Sequence, residues 1–207
     1  MKSDSNLIYF CDKFFNMKNY LFIAAFTVLT ACGSSDKPAE EAKKDEPLEQ
    51  TSNSTAFNQS FSRFLNSYYS LKDALVANDS TLASTAANTL ANAADSLSLN
   101  ELKADSSIIL TAKDYVSSIS SDAKVLANEA NLKAKRKSFQ TISDNIYTLL
   151  QTVRYDQEVV YHQFCPMAFD DAGAAWLSKT SDIKNPYFGK KMLTCGEVKD
   201  SIDFRGK

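Results

Sequence analysis

The amino-acid sequence predicts an all-α domain, an antiparallel four-helix bundle with an irregular C-terminal segment packed on it, and three observations lead there. Glycine and proline are scarce, 5 and 4 residues in 207, which is too few for a sandwich or barrel crowded with tight turns. Between Phe57 and Val153 apolar residues recur in steps of three and four, in four successive runs. Short polar breaks separate the runs, as they do between consecutive antiparallel helices. With 44% hydrophobic and 23% charged residues the chain can build one real core. A net charge of -2 and a pI near 5.5 give no global attraction to phosphate backbones, so nucleic acid is not an expected partner.

Residues 1–32 are expected to be a signal peptide. From Met17 the chain reads MKNYLFIAAFTVLTAC, with one lysine, an apolar run from Tyr20 to Leu29, then small residues. That run is roughly eleven residues, against about twenty needed to span a bilayer core, so it has the length of a signal-peptide apolar region. Leu29-Thr30-Ala31-Cys32 resembles the lipobox of bacterial lipoproteins, which makes Cys32 the expected lipidated residue and Met17 the expected start. Residues 33–55 are polar, carry charges of both signs and include Pro38 and Pro47. Such a stretch buries too little surface to offset its ordering entropy, and the expectation is a flexible tether. Residues 56–207 remain for the folded domain.

The first helix is marked by Phe57, Phe61, Phe64, Tyr68, Leu71 and Leu75 on one face. Asn78-Asp79-Ser80 breaks it and caps a second, whose expected inner face is Leu82, Ala86, Leu90, Ala93 and Leu97. A third run follows Asp105-Ser106 with Ile108, Ala112, Tyr115, Ile119, Ala123 and Leu126. The fourth follows Asn128 to Asn131 and carries Leu132, Phe139, Ile142, Ile146, Leu149 and Val153. Lys133, Lys135, Arg136 and Lys137 beside that stripe read as a solvated face.

Past Val153 the helical period fades. Val159-Val160-Tyr161 fits a short strand or a frayed helix end, Ala172 to Ser178 fits a short helix anchored by Trp176, and Asn185-Pro186 with Gly189 brackets a turn. Proline after Cys165 stops a helix there, so Cys165 and Met167 sit on ordered, non-helical backbone. Three readings are open for the sulfurs. Outside the cytoplasm thiols tend to oxidise, and a Cys165–Cys195 disulfide closing a loop of about thirty residues would stabilise the fold by roughly 3 to 4 kcal/mol on the chain-entropy model. Alternatively Cys165, Met167, Met192 and Cys195, with His162 as an imidazole ligand, form a soft-metal site, since thiolate and thioether select Cu(I). Third, the methionines fill the core and the cysteines are inert.

A chain with one histidine has no Glu-x-x-His di-iron pattern and no multi-histidine zinc site. A Cys-His pair is formally present, but Cys165 follows His162 by only three residues instead of coming from a separate element. No catalytic residue is assigned, and the expectation is a non-enzymatic protein.

At these residues a resemblance enters. Phe164-Cys165-Pro166-Met167-Ala168, Ala175-Trp176-Leu177-Ser178, Asn185-Pro186-Tyr187-Phe188-Gly189 and Met192-Leu193-Thr194-Cys195-Gly196, with Arg136, Phe139 and Ile142-Ser143 upstream, resemble a domain of unknown function common in bacteroidete lipoproteins. A similar domain is appended to some copper/silver efflux adaptors, the periplasmic membrane-fusion components. The resemblance spans about Ser54 to the end and implies heavy-metal handling, which brings the soft-metal reading level with the disulfide. The chain has no room for the adaptors' hairpin or barrel-sandwich modules, so an accessory role is implied. The expected picture is a lipid-anchored protein of the bacterial envelope, periplasmic or at the cell surface. It would sequester or deliver Cu(I) or Ag(I), with efflux components as its partners. The alternative is an interaction or structural module stapled by Cys165–Cys195.

Overall fold

The computed structural model describes residues 52–206. The signal segment with Met17 and Cys32, and nearly all of the tether, lie outside the described residues. Four long helices come first: α1 (Thr55–Ala77), α2 (Ser80–Asp95), α3 (Ser106–Asn128) and α4 (Leu132–Val153), with a 3₁₀ turn at Leu99–Glu101. None is long and apolar enough to cross a membrane. Their ends are set by local chemistry. Ser54 accepts from the Phe57 N–H at 3.1 Å, Asp79 from Leu82 at 2.8 Å and Asn131 from Ala134 at 3.0 Å, each satisfying an orphan donor of a first turn. Asn78 and Arg154 close α1 and α4 in the left-handed conformation. Asn53, at the end of the expected tether, donates to the Val153 and Arg154 carbonyls and so belongs to the folded body.

Each helix packs on the next in sequence, forming a helical bundle. Helix α1 is the most enclosed: besides the expected stripe it buries Leu65, Tyr69 and Ala74, because the C-terminal segment covers a second of its faces. The α2 face is turned from its expected position. Leu82 is 51% exposed, while Ala83, Ala87, Ala91 and Ala94 face the core beside Ala86 and Leu90. An alanine-rich helix has little apolar contrast around its girth, so packing at close range decides which side goes in.

The basic run on α4 is a second correction, because only part of it is solvated. Lys135 is 1% exposed, and its ammonium donates to Ser84 Oγ at 2.8 Å, the Leu126 carbonyl at 2.9 Å and the Ala127 carbonyl at 3.3 Å. Those carbonyls end α3, where a cation satisfies unpaired acceptors and the negative end of the helix dipole. Burial lowers the Lys135 pKa. Arg136 donates through Nε to the Pro186 carbonyl at 2.7 Å, and through one terminal nitrogen to the Leu75 carbonyl and Asn78 Oδ1. It ties the end of α1 to the C-terminal segment.

That segment is not irregular. It forms a three-stranded antiparallel sheet in the order β2-β1-β3, from β1 (Val160–Cys165), β2 (Ala174–Ser178) and β3 (Glu197–Ile202). The short helix expected around Trp176 is β2 instead: Trp176 pairs with Gln163 and Leu177 with His162. Aromatic and apolar residues in a five-residue stretch suit a pleated surface, and Gly173 breaks the chain directly before it. Between β1 and β2 a four-residue helical turn, α5 (Ala168–Asp171), carries three successive residues at positive φ, Phe169, Asp170 and Asp171. β2 packs on α4. Its outer edge is covered, since the Leu177 N–H donates to the Tyr68 hydroxyl at 3.0 Å and the Tyr187 hydroxyl donates to the Ala175 carbonyl.

Candidate functional site

Successive side chains on β1 point to opposite faces of the sheet, and this alternation sorts the expected ligands. Gln163 and Cys165 share one face; Gln163 reaches the carbonyls of Thr180 and Asp182 in the long connection after β2. Cys165, fully buried at the end of β1, meets Cys195 from the same connection with 2.8 Å between the sulfurs. The thiols are free. His162 is three residues from Cys165 and so falls on the other face. There it stacks on Tyr147 of α4, with centroids 4.2 Å apart, and its Nδ1 lies 3.5 Å from Asp200 Oδ2. The structure does not bring His162 to the sulfurs.

Cys195 is placed by Asn185, which is completely buried. Asn185 Nδ2 donates to the Cys195 carbonyl at 2.7 Å, its Oδ1 accepts from the Tyr187 and Phe188 N–H groups, and its own N–H donates to the Leu193 carbonyl. The Cys195 N–H closes a turn onto the Met192 carbonyl at 3.1 Å. Gly196 completes the support: at φ +140°, a Cβ there would stand 2.8 Å from the Trp176 ring and 2.9 Å from the Phe164 carbonyl oxygen. Only glycine lets the chain pass that close to the sheet. Asn185 carries no chemistry that the sequence would flag, yet its pairing with Pro186 in a turn is the trace it leaves there.

Met167 and Met192 are not turned into the core. Met167 is 46% exposed, Met192 is partly buried, and both line one cleft of about 460 Å³ together with Phe169, Asp170, Asp171 and Phe188. Each methionine lies within three residues of a cysteine, so the thiol pair and the thioether cleft are built from the same two short segments. Contact with Cys165, reinforced by burial, raises the Cys195 thiol pKa to about 11, so Cys195 holds its proton at neutral pH. Among the described residues no three or more His, Cys, Asp or Glu side chains stand together at metal-ligand spacing.

Residues 64–158 match the model of a family described as a protein of unknown function, DUF3347. The DUF3347 segment runs from within α1 to just past α4, and all four sulfurs lie beyond it. No curated protein and no solved structure matches the chain.

Proposed function

We propose that this chain is a lipid-anchored, extracytoplasmic accessory protein whose four long helices form an antiparallel bundle and whose C-terminal sheet carries a site for a soft metal ion, Cu(I) or Ag(I). The observation behind this reading is the placement of the sulfurs: two thiols in contact, and two thioethers on the same short segments lining one cleft. Thiolate and thioether donors suit Cu(I), whereas a hard divalent ion asks for oxygen ligands. Cys165 and Cys195 would supply the anionic ligands, with Met167 or Met192 completing the shell. A metal ion must displace the thiol protons and part the sulfurs, which the position of Cys195 on a turn accommodates. His162 is held elsewhere and takes no part. The role is sequestration or delivery beside efflux components, without catalysis.

The sulfur contact also favours a second reading. A shift of about 0.8 Å would bring 2.8 Å to the ~2.05 Å of a disulfide bond, which would staple the connection to β1. Two measurements separate the readings. Reduced protein titrated with Cu(I) against a competing chelator is expected to hold one ion per chain, and Cys165→Ser/Cys195→Ser, left with the thioethers alone, to hold it much more weakly. Equal retention by both proteins would end the metal reading. Intact mass of protein recovered from cells without reductant reports the staple, which a fully reduced pair would exclude. Mass analysis of the membrane-extracted chain tests the anchor: processing and lipid at Cys32 are expected, and both should be lost in Cys32→Ala.

A further inference from the structure

The four sulfurs differ in what they can do with a metal ion. A pair of thiols can surrender two electrons and become a disulfide, and Cys165 and Cys195 are already 2.8 Å apart, so the bond can form with little movement. Thioethers do neither: they lose no proton on binding and are not consumed by one-electron oxidation, yet they hold Cu(I). Met167 and Met192, each within three residues of a cysteine along the chain, line the cleft with Asp170 and Asp171, and Lys133 and Arg136 line it too. The cleft therefore presents oxygen donors, which suit Cu(II), next to sulfur donors, which suit Cu(I). The acids are set there by the left-handed run Phe169–Asp171, a conformation that non-glycine residues rarely adopt.

We propose that the site takes Cu(II) as a substrate and reduces it, the Cys165–Cys195 dithiol supplying the electrons and the Met167–Met192 cleft retaining the Cu(I) produced. The proposal rests on the soft-metal reading above and adds the oxidation state in which the ion arrives. Two Cu(II) ions each accept one electron; the two S–H bonds break, one S–S bond forms, and two protons pass to solvent. The products are one disulfide and two Cu(I), of which the thioether cleft keeps one. Cys195, partly exposed, is the sulfur that meets the ion, and buried Cys165 is the sulfur that closes on it. A chain acts once until an external dithiol reductant restores the pair.

The test uses the full chain carrying Cys11→Ser and Cys32→Ser, so that of its 4 cysteines only the pair remains. Reduced, desalted protein is mixed without oxygen with two equivalents of copper(II) sulfate. Cu(I) is read with a Cu(I)-specific chromogenic chelator, the linkage by peptide mass mapping, and retained copper after a second desalting. The expected result is about two Cu(I) per chain, a Cys165–Cys195 linkage within single chains, and about one copper retained. In Met167→Leu/Met192→Leu the yield should be unchanged and the retained copper should fall to none. Cu(II) left unreduced with both thiols intact, or linkage only between chains, overturns the proposal. So does retention unaffected by the double methionine substitution. A parallel titration with Cu(I) keeps the two ideas apart: a protein that binds Cu(I) but leaves Cu(II) unreduced defeats this inference and leaves the metal-binding reading standing.

Discussion

Adjacent tyrosines on α1 are expected to respond oppositely to loss of a single oxygen atom. The Tyr68 hydroxyl is fully buried and belongs to a relay whose direction is fixed at both ends. The Leu177 N–H donates to it at 3.0 Å, and the Ser143 hydroxyl already donates to the Phe139 carbonyl at 2.9 Å. Tyr68 must therefore donate to Ser143, 2.8 Å away. Its ring, stacked on Phe139 at 5.3 Å, would survive in Tyr68→Phe, so no large cavity opens. What is lost is the partner of the buried Leu177 N–H on the outer edge of β2. An orphaned buried donor costs about 1–3 kcal/mol, and weakening of the Ser143 link takes the sum to about 2–3 kcal/mol. For a domain of this size that is a fall of roughly 5–10 °C in Tm. The Tyr69 hydroxyl is also buried but has no hydrogen-bond partner among the described residues, and Lys179 rests over the ring face at 5.3 Å. Tyr69→Phe removes an unsatisfied polar atom and keeps that contact, so stability should be unchanged or up to about 1 kcal/mol higher. Urea and thermal unfolding of both variants measure the difference. Equal losses, or a Tyr68→Phe loss below about 0.5 kcal/mol, would refute the relay.

The same burial predicts an alkaline limit. Desolvation raises the phenol pKa values of Tyr68, Tyr69 and Tyr187 above the ordinary 10.0, so their contribution is complete below pH 10 and is lost as the pH rises beyond it; stability falling steeply below pH 9 would contradict this. Arg136→Ala removes charged hydrogen bonds to the Pro186 and Leu75 carbonyls and should cost about 2–4 kcal/mol, with Arg136→Lys failing to rescue it because one ammonium cannot replace the planar fork. Limited proteolysis around Lys184 and Lys190 should quicken in parallel. In reduced protein, carbamidomethylation of Cys195 should be slow at pH 8 and rise roughly tenfold per pH unit until near its pKa of about 11, so a plateau below pH 9 would show that contact with Cys165 does not hold the proton. Gly196→Ala should shift the fluorescence of Trp176, the one tryptophan, and slow oxidative pairing of the cysteines; an unchanged spectrum would deny the close approach.

The helices were legible because their signals are local. Steps of three and four from Phe57 to Leu75 mark a helix found at Thr55–Ala77, Asp79 caps α2 as expected, and α4 starts directly after Asn131. Lys135 was misread although its trace is present: it stands four residues before Phe139, on the stripe that continues through Ile142, Ile146 and Leu149. Charge outweighed period there, and the deciding partner, the end of α3, is a tertiary fact. The sheet was harder to see. Strands of five or six residues interrupted by proline and glycine carry little periodicity, and β1 is paired on both sides by strands that follow it. Of the candidate site, the structure places Cys165 against Cys195 and puts Met167 and Met192 on the wall of one cleft. The removal of His162 follows from strand parity, which is readable only once β1 is known to be a strand.

The stitch between Tyr68 and Leu177 joins residues 109 apart, whereas each helix touches its successor. A ribosome releases the chain from its amino end, so the helices have neighbours as soon as they emerge, and the edge that Tyr68 must cover arrives only after all four of them. Cys165 therefore waits for Cys195 until the helices and β2 are already out. The encounter of the two sulfurs reports that the connection after β2 has folded back onto β1.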